Sequence, residues 1–202
     1  FEGENLLHQS GTFFSGFESS STVAAFTLLE LSRSTKYQEL ARIDILRAIE
    51  KNGWIYESFN DMKFLDQCIA ESVRLHPPVS TVDRQAKEDY KIPGTEVIIE
   101  KGTAIYISLY GLHRDPKYFD NPDEFDPNRF NGKALPDAYI PYGAGPRMCV
   151  GVKAGQLHAK VTVAMILSQY EIYQSENVVT ELDSRSTFTA ACDGIRMEFR
   201  KI

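Results

Sequence analysis

The chain has 202 residues, of which 43% are hydrophobic and 25% are charged, and it carries a formal net charge of −6 at pH 7. This composition is ordinary for a globular protein and provides for one domain or a little more. The negative balance argues against nucleic acid as the main partner. No apolar run is long enough to span a bilayer, and no signal peptide is recognisable.

The three cysteines, Cys68, Cys149 and Cys192, are odd in number and widely spaced. They therefore match neither a disulfide framework nor a zinc site, and a reducing compartment fits them better. The sequence does not begin with Met and starts a few residues before a strong helical pattern, which is typical of a fragment boundary.

The first predicted element is a long helix over residues 5–32, where apolar residues recur with helical spacing. Its middle places Gly16 and the hydroxyl-rich run 19–22 in a helix interior. Glycine lowers helix stability there by up to ~1 kcal/mol, and serine and threonine hydroxyls compete for backbone carbonyls. Two interpretations stay open: a slightly bent core helix, or a helix opened locally so that a small molecule and water can enter.

Two further helices are predicted over 37–51 and 62–76, the second of them stopped by the prolines at 77–78. Within the second helix, Glu71 and Arg74 lie three residues apart on one face and can form an ion pair. Most such pairs lie at the surface and contribute little. The strongly apolar helix around this pair predicts instead that it faces inward.

Extended segments and turns follow the prolines. Residues 79–84 are predicted to be extended, a hairpin covers 90–99, and another strand covers 104–107. His113 has no second histidine at ligand spacing, so we expect it to make a structural hydrogen bond.

A helix over 150–168 is predicted to pack against the first helix, and strands are predicted over 170–173 and 195–199, with Phe188 and Thr189 at a turn between them. The predicted fold class is mainly α with small β-sheets.

The loop over residues 141–151 carries the chemistry. Its glycines allow a close approach of the backbone to a flat ligand, and Cys149 is expected at the N-terminus of the following helix, where a thiolate is favoured over a thiol. Arg147 supplies a cation suited to a carboxylate. These features favour haem iron held by cysteine, although a single cysteine is more often a buried free thiol.

Gly145, Arg147, Cys149 and Gly151, with Tyr142 in place of the usual Phe, resemble the haem-binding signature of the cytochrome P-450 family. Three other motifs of that family occur in the expected order, so the resemblance extends over essentially the whole chain. Within the family, the chain resembles the insect-type microsomal, xenobiotic-metabolising branch. These motifs are the distal-helix motif at 16–20, Glu71 with Arg74, and Pro127-Asn128-Arg129-Phe130.

The resemblance implies the C-terminal part of the cytochrome P-450 fold, with its long distal helix, Glu-x-x-Arg helix, cysteine loop and proximal helix. Residues 1–202 would be a partial haem domain that lacks the N-terminal anchor and the N-terminal half. The implied cofactor is haem b, with Cys149 as the axial iron ligand. Further haem contacts are implied for five residues: Arg84, for which a surface position is an equal alternative, Tyr142, Gly145, Arg147 and Gly151.

The resemblance also assigns a catalytic role to Gly16, Glu18 and Ser19, of which Glu18 and Ser19 would deliver protons with ordered water. Ser19 stands in place of the usual Thr and lacks the methyl group that restricts its rotamer. Ser20 and Ser21 are expected to turn away from the ligand by ~100° each. The implied substrate contacts are Val79, Val82 and Phe188.

Glu71, Arg74 and Arg129 are expected by resemblance to form a buried structural network that locks the loop carrying Cys149. One carboxylate shared by two guanidinium groups can accept bidentate hydrogen bonds from both sides.

The implied activity is that of a monooxygenase, which inserts one oxygen atom of O2 into a small lipophilic substrate. Electrons would come from an NADPH-dependent flavoprotein reductase docking near Lys133, Arg147 and Lys153. The implied location is the cytosolic face of the endoplasmic reticulum membrane, reached only through the missing N-terminal part. Two alternatives stay open: a haem-thiolate isomerase or dehydratase that needs no reductase, and a non-catalytic truncated remnant.

Overall fold

The computed structural model describes residues 3–132, 134–175 and 181–202. Six α-helices lie in this part of the chain: α1 (Gly3–Ser32), α2 (Thr35–Asn52), α3 (Tyr56–Asp61), α4 (Lys63–Leu75), α5 (Leu109–Leu112) and α6 (Val152–Leu167). Short 3-10 turns occur at Pro127–Phe130 and Gly145–Arg147. None of the described helices is both long and apolar enough to cross a membrane.

Three antiparallel strand pairs complete the described fold. Strand β1 (Thr81–Gln85) pairs with β4 (Ala104–Ser108), β2 (Tyr90–Lys91) with β3 (Ile98–Ile99), and β5 (Tyr170–Gln174) with β6 (Met197–Lys201). In the first pair Arg84 lies opposite Ile105, and in the last Ile172 lies opposite Phe199. The prediction of a mainly helical chain with small sheets is confirmed.

The core lies where the apolar faces of α1, α2, α4 and α6 meet. Its members are fully or almost fully buried, and burying each such side chain contributes about 1.5–3 kcal/mol before entropy is counted. They include Leu31, Ile45, Leu65, Val163 and Leu167. The predicted packing of α6 against α1 is present.

Buried polar side chains of α2 fasten the C-terminal end of this core. Gln38 pairs with Ile172 through two bonds: its Nε2 donates to the carbonyl oxygen at 2.8 Å, and the Ile172 amide donates to Oε1 at 2.9 Å. Arg42 Nε donates to the carbonyl oxygen of Leu167 at 3.0 Å, and its Nη2 to that of Tyr170 at 2.9 Å. Because these groups are buried, each bond avoids the free-energy cost of leaving a backbone group without a hydrogen-bond partner.

Helix α1 is continuous through its hydroxyl-rich middle. The helix backbone is therefore not opened here, but this stretch is not part of the core either: Gly16 and Phe17 are exposed, and burial begins at Thr22. The hydroxyl of Ser21 donates to the carbonyl oxygen of Glu18 at 3.0 Å, as serine does within an intact helix. The helix predicted from residue 150 begins later, at Val152.

Glu71 and Arg74 of α4 face the protein interior, and both side chains are 0% exposed. Arg74 Nε donates to Glu71 Oε2 at 2.6 Å and Nη2 donates to Oε1 at 2.8 Å, a bidentate pair. Arg129 reaches the same carboxylate with one bond, from Nε to Oε1 at 3.2 Å. The expected bidentate geometry is thus present for Arg74 and absent for Arg129, whose Nη2 instead donates to the carbonyl oxygen of Asn121 at 2.9 Å.

Glu71 and Arg74 also form hydrogen bonds to the backbone of a segment without regular secondary structure. Arg74 donates to three carbonyl oxygens, of His113 at 2.8 Å, of Pro122 at 2.7 Å and of Glu124 at 3.1 Å. Glu71 Oε1 accepts from the amide of Asp126 at 2.9 Å. The segment 113–126, which lacks regular structure apart from turns, is therefore fixed against α4.

His113 is fully buried beside this network. Its Nε2 accepts from the amide of Ile140 at 3.3 Å, and its ring lies 5.4 Å from that of Tyr139, centroid to centroid. Burial, with the positive charges of Arg74 and Arg114 nearby, lowers the pKa of His113 to about 4. His113 is therefore a neutral structural residue at pH 7, and it links the network to the segment just before the cysteine loop.

We expect Arg74→Ala to lower the free energy of unfolding by about 3–5 kcal/mol, because it leaves the Glu71 carboxylate buried without its main partner. The measurement is chemical unfolding of the whole protein at pH 7. The matched control is Lys91→Ala, which removes an exposed ion pair with Glu96 and should cost less than about 1 kcal/mol. Equal losses in the two variants would contradict the structural role of Arg74.

We expect His113 to make stability depend on pH between about 6.5 and about 4. The unfolded chain takes up a proton near the ordinary pKa of 6.5 and the folded chain only near 4, so the contribution is complete above 6.5 and is lost as pH falls. The measurement is the difference in unfolding free energy between wild type and His113→Gln, which keeps an acceptor. This difference should shrink steadily over that range, and a difference that does not change with pH would refute the assignment.

Candidate functional site

The cysteine loop turns sharply before α6. Gly143 and Gly145 have φ values of 74° and 75°, the left-handed region that glycine adopts without strain. The amide of Cys149 donates to the carbonyl oxygen of Tyr142 at 2.9 Å, which closes the loop and leaves the thiol exposed. Cys149 lies three residues before the first residue of α6, so the prediction that it sits at the helix terminus is wrong by that distance.

The thiol borders a groove between the cysteine loop and α1, which we term the cysteine groove. It consists of two adjoining cavities of about 790 Å³ and about 330 Å³, both within the usual range of ligand pockets. The two cavities share six lining residues from both sides: Ser15, Ser19, Ser20, Cys149, Gly151 and Gly155.

The α1 wall of the groove carries hydroxyl groups. Ser19 Oγ donates to the carbonyl oxygen of Ser15 at 2.5 Å, and Ser20 Oγ donates to that of Gly16 at 2.7 Å. Because each hydroxyl hydrogen is directed at the helix backbone, the oxygen lone pairs remain available to accept hydrogen bonds. The expectation that Ser20 turns away is wrong, because Ser20 lines both cavities beside Ser19.

Two residues close to Ser19 in the sequence, Glu18 and Ser21, do not line the groove. Glu18 is exposed and is not among the residues that line the groove. Ser21 lines neither cavity of the groove and borders a neighbouring depression instead, so it does turn away as expected. Of the three residues assigned a catalytic role, the structure therefore brings Gly16 and Ser19 to the groove but not Glu18.

Hydrophobic side chains form the remaining wall of the smaller cavity. Val79 follows the two prolines after α4, Val82 lies in β1, and Phe188 comes from the loop between β5 and β6. The structure thus brings together all three residues predicted to contact substrate, from distant parts of the chain.

The two arginines assigned to carboxylate binding both lie at the cysteine loop. Arg147 is exposed and lines the smaller cavity. Arg84 is half-buried: its Nη1 donates to the carbonyl oxygen of Asp83 at 2.7 Å, and its Nη2 lies 3.5 Å from the position a β-carbon would take at Gly143. Arg84 therefore packs against the loop and is not an isolated surface residue.

Tyr142 of the cysteine loop is anchored to α6 at the smaller cavity. Its hydroxyl hydrogen-bonds with the Gln156 side chain of α6, and burial raises the pKa of the phenol. A Phe at this position could not make that bond, so the Tyr adds a tether between the loop and α6.

The cysteine groove fits haem in three respects. It offers one thiol ligand, as cysteine-ligated haem requires. A β-carbon added at Gly16 or Gly155 would meet no protein atom within 4 Å, and one at Gly151 would come no closer than 3.9 Å, to the Cys149 sulfur, so these glycines leave a smooth cradle along both walls. Arg147 at the smaller cavity supplies positive charge for a carboxylate group, while Arg84 lines neither cavity and packs against Gly143 of the same loop. Among the described side chains, no group of three or more His, Cys, Asp or Glu is arranged to hold a metal ion.

Several groove residues were not predicted from the sequence. Phe13 and Phe17 of α1 and Gly155 and His158 of α6 line the larger cavity. Their spacing in the sequence could have indicated these positions. Phe13 and Phe17 are four residues apart, as are Gly151 and Gly155, and residues at that spacing share a helical face.

The surface predicted to meet a reductase is described in part. Arg147 and Lys153 are both exposed near the cysteine loop. Lys133 lies outside the described residues.

Comparison with known proteins identifies the family. A sequence model described as Cytochrome P450 matches residues 1–196. The chain is 37% identical over 210 residues to cytochrome P450 6k1 of Blattella germanica, covering 100% of this chain and 40% of the relative. It is 39% identical over 165 residues to probable cytochrome P450 6d5 of Drosophila melanogaster, covering 79% of this chain and 32% of the relative.

A third relative gives the same result: cytochrome P450 6B6 of Helicoverpa armigera is 37% identical over 181 residues, which cover 86% of this chain and 36% of the relative. The chain therefore spans well under half the length of these curated relatives. The family predicted from the cysteine, Glu-x-x-Arg and distal-helix motifs is confirmed, and the chain, with its cysteine loop set against a long helix, belongs to the cytochrome P450 family.

Proposed function

We propose that this chain is the cysteine-bearing part of a haem-thiolate monooxygenase that inserts one oxygen atom of O2 into a small lipophilic molecule. The observation that carries the proposal is the position of the Cys149 thiol on a groove whose opposite wall is the hydroxyl-lined face of α1. Because the chain spans at most 40% of the relatives described above, the activity is proposed for the longer protein and the 202 residues alone are expected to be inactive.

Cys149 is the proposed axial ligand of haem b. When bound, the haem supplies the oxygen chemistry, and the protein supplies binding, orientation and electrostatics. Gly16, Gly151 and Gly155 leave room for a flat macrocycle along the groove. Arg147 and Arg84 are proposed to pair with its carboxylate groups, since both lie beside the cysteine loop.

The network of Glu71, Arg74 and Arg129 is proposed to hold the cysteine loop in place from the side away from the groove. Support comes from its connection through His113, whose Nε2 accepts from the Ile140 amide just before the loop. Tyr142 and Gly145 are proposed to help fix the cysteine loop as well. The Tyr142 carbonyl accepts a hydrogen bond from the Cys149 amide, and Gly145 supplies the left-handed turn.

Substrate is proposed to lie against Val79, Val82 and Phe188. These side chains form a hydrophobic wall on the cavity that also contains Cys149 and Ser19, so an apolar substrate bound there would displace water from the reacting end of the groove.

Ser19 is the proposed holder of the proton on the α1 wall. While its hydroxyl donates to the Ser15 carbonyl, its oxygen can accept from a water in the groove, and rotation about χ1 would pass a proton on. Glu18 is proposed to act only at a distance, through solvent, because it lies off the groove.

Electrons are proposed to come from an NADPH-dependent flavoprotein reductase that meets the exposed cation Lys153, since Arg147 is assigned to a haem carboxylate. The family resemblance to insect microsomal enzymes supports a position on the cytosolic face of the endoplasmic reticulum membrane for the longer protein.

The decisive experiment is replacement of Cys149 in the full-length, haem-loaded protein. Reduced and treated with carbon monoxide, the wild type should show the Soret band of a thiolate-ligated haem, and Cys149→Ala should lose it completely because no second thiol among the described residues lines the groove. Cys68→Ala and Cys192→Ala serve as matched controls and should retain the band. A Cys149→Ala protein that keeps the band would overturn the proposal.

Removal of the Ser19 hydroxyl should uncouple the enzyme without unfolding it. We expect Ser19→Ala to form severalfold less product per NADPH consumed and to divert the reductant to hydrogen peroxide, and Ser19→Thr to improve coupling by restricting the rotamer. The matched control is Ser21→Ala, which removes a similar bond to the α1 backbone away from the groove. If Ser19→Ala and Ser21→Ala couple as well as wild type, Ser19 has no part in proton delivery.

A second candidate, a haem-thiolate isomerase or dehydratase acting on peroxides, is favoured by one observation. Glu18 does not line the groove, so the paired proton relay expected of a monooxygenase is incomplete there. Turnover of a lipid hydroperoxide without reductase or NADPH would establish this candidate, whereas strict dependence on both supports the monooxygenase.

A further inference from the structure

The loop over residues 181–194 returns to the end of α4 through Thr189. The Thr189 amide donates to the carbonyl oxygen of Pro78 at 2.8 Å, and its Oγ1 donates to that of Pro77 at 2.5 Å. Thr189 is 8% exposed and both prolines are buried. Both donors of one residue thus engage two consecutive carbonyls, an arrangement that we term the Thr189 clamp.

Both sides of the Thr189 clamp are stiff. The proline rings fix φ at Pro77 and Pro78, and Pro78 also restricts ψ of the preceding Pro77, so the Pro77 carbonyl has little freedom to turn away. Thr189 is β-branched and therefore restricted at χ1. The prolines directly follow α4, whose last turn contains the buried Arg74.

Each side of the clamp carries a groove residue one position away. Val79 follows Pro78, and Phe188 precedes Thr189; both line the cavity that holds the Cys149 thiol. The loop is held within itself by the bridge between Leu182 and Ala191. The two bonds of Thr189 therefore tie the backbone next to Phe188 to the backbone next to Val79.

We propose that Thr189 is a positioning residue that fixes Phe188 against Val79 and so sets the width of the cavity for the hydrophobic part of a substrate. This inference rests on the proposed function, because it assigns that cavity to substrate. Thr189 itself is not among the residues that line the groove, so it acts through Phe188.

The test uses the full-length, haem-loaded protein and a series of 1-alkylimidazoles from methyl to octyl, whose binding is read from the optical spectrum of the haem. Thr189→Val keeps the shape of the side chain and removes the bond to Pro77, whereas Thr189→Ser keeps the hydroxyl. We expect Thr189→Val to weaken binding of octylimidazole by about three- to tenfold, the size of one lost hydrogen bond. Methylimidazole, which has almost no hydrocarbon chain to pack against the wall, should bind unchanged, and Thr189→Ser should behave as wild type with both probes.

A second set of variants separates positioning from general stability. In a Phe188→Ala background, Thr189→Val should have no further effect on octylimidazole, since the side chain that it positions is gone. Equal weakening of methyl and octyl probes, or a full Thr189→Val effect in the Phe188→Ala background, would overturn the inference while leaving the proposed function intact. Absence of any iron–imidazole signal in the wild type would overturn both.

Discussion

The bidentate pair between Arg74 and Glu71 is the interaction on which the rest of this structure depends. Its two charges are completely shielded from water, a situation that is tolerable only when every hydrogen-bonding group is used. The five N–H groups of Arg74 are matched by two carboxylate oxygens and three backbone carbonyls. A stretch of chain with little regular structure of its own thereby acquires a fixed position between α4 and the cysteine loop.

Helix α4, which carries Glu71 and Arg74, is itself held in place by neighbouring helices. It has no N-terminal cap of its own, and Asp44 of α2 accepts from the amides of Phe64 and Leu65 at 2.7 and 3.2 Å instead. Burial raises the pKa of the Asp44 carboxyl, while these two amide bonds act in the opposite direction. On its other side, Lys160 of α6 pairs with Asp66 and donates to the carbonyl oxygen of Phe59 at 2.7 Å. The helix is therefore held at its start by α2, along its length by α6 and at its end by the irregular segment.

Local patterns were sufficient to predict most elements of this fold. Apolar periodicity and the punctuation by Pro77 and Pro78 gave α4, and the inward orientation of Glu71 followed from the apolar residues around it. The cysteine loop was predictable because glycine is needed at specific backbone angles, as the positive φ of Gly143 and Gly145 shows.

Features that depend on side-chain direction or on distant chain segments were not predictable in the same way. The orientation of Ser20 towards the groove is decided by how α1 lies against α6, which a single helix does not encode. The single bond of Arg129 to Glu71 depends on a competing carbonyl at Asn121. The turn that contains Thr189 was predicted, but its bonds to Pro77 and Pro78 were not, because the hydroxyl's partner Pro77 lies 112 residues earlier.

That separation has a consequence for how the groove is assembled. Contacts between residues far apart in sequence form slowly, because a long loop must close before they contribute. Helices α1, α2 and α4 can form from local contacts as they leave the ribosome. The bond between Gln38 of α2 and Ile172 can form only later, once the 134 residues that follow Gln38 up to Ile172 have been made. The wall that contains Phe188 can close only after those steps. A translating chain would thus expose an open, hydrophobic groove until Phe188 and Thr189 had been made, and this interval is when a chaperone or early cofactor capture would matter most.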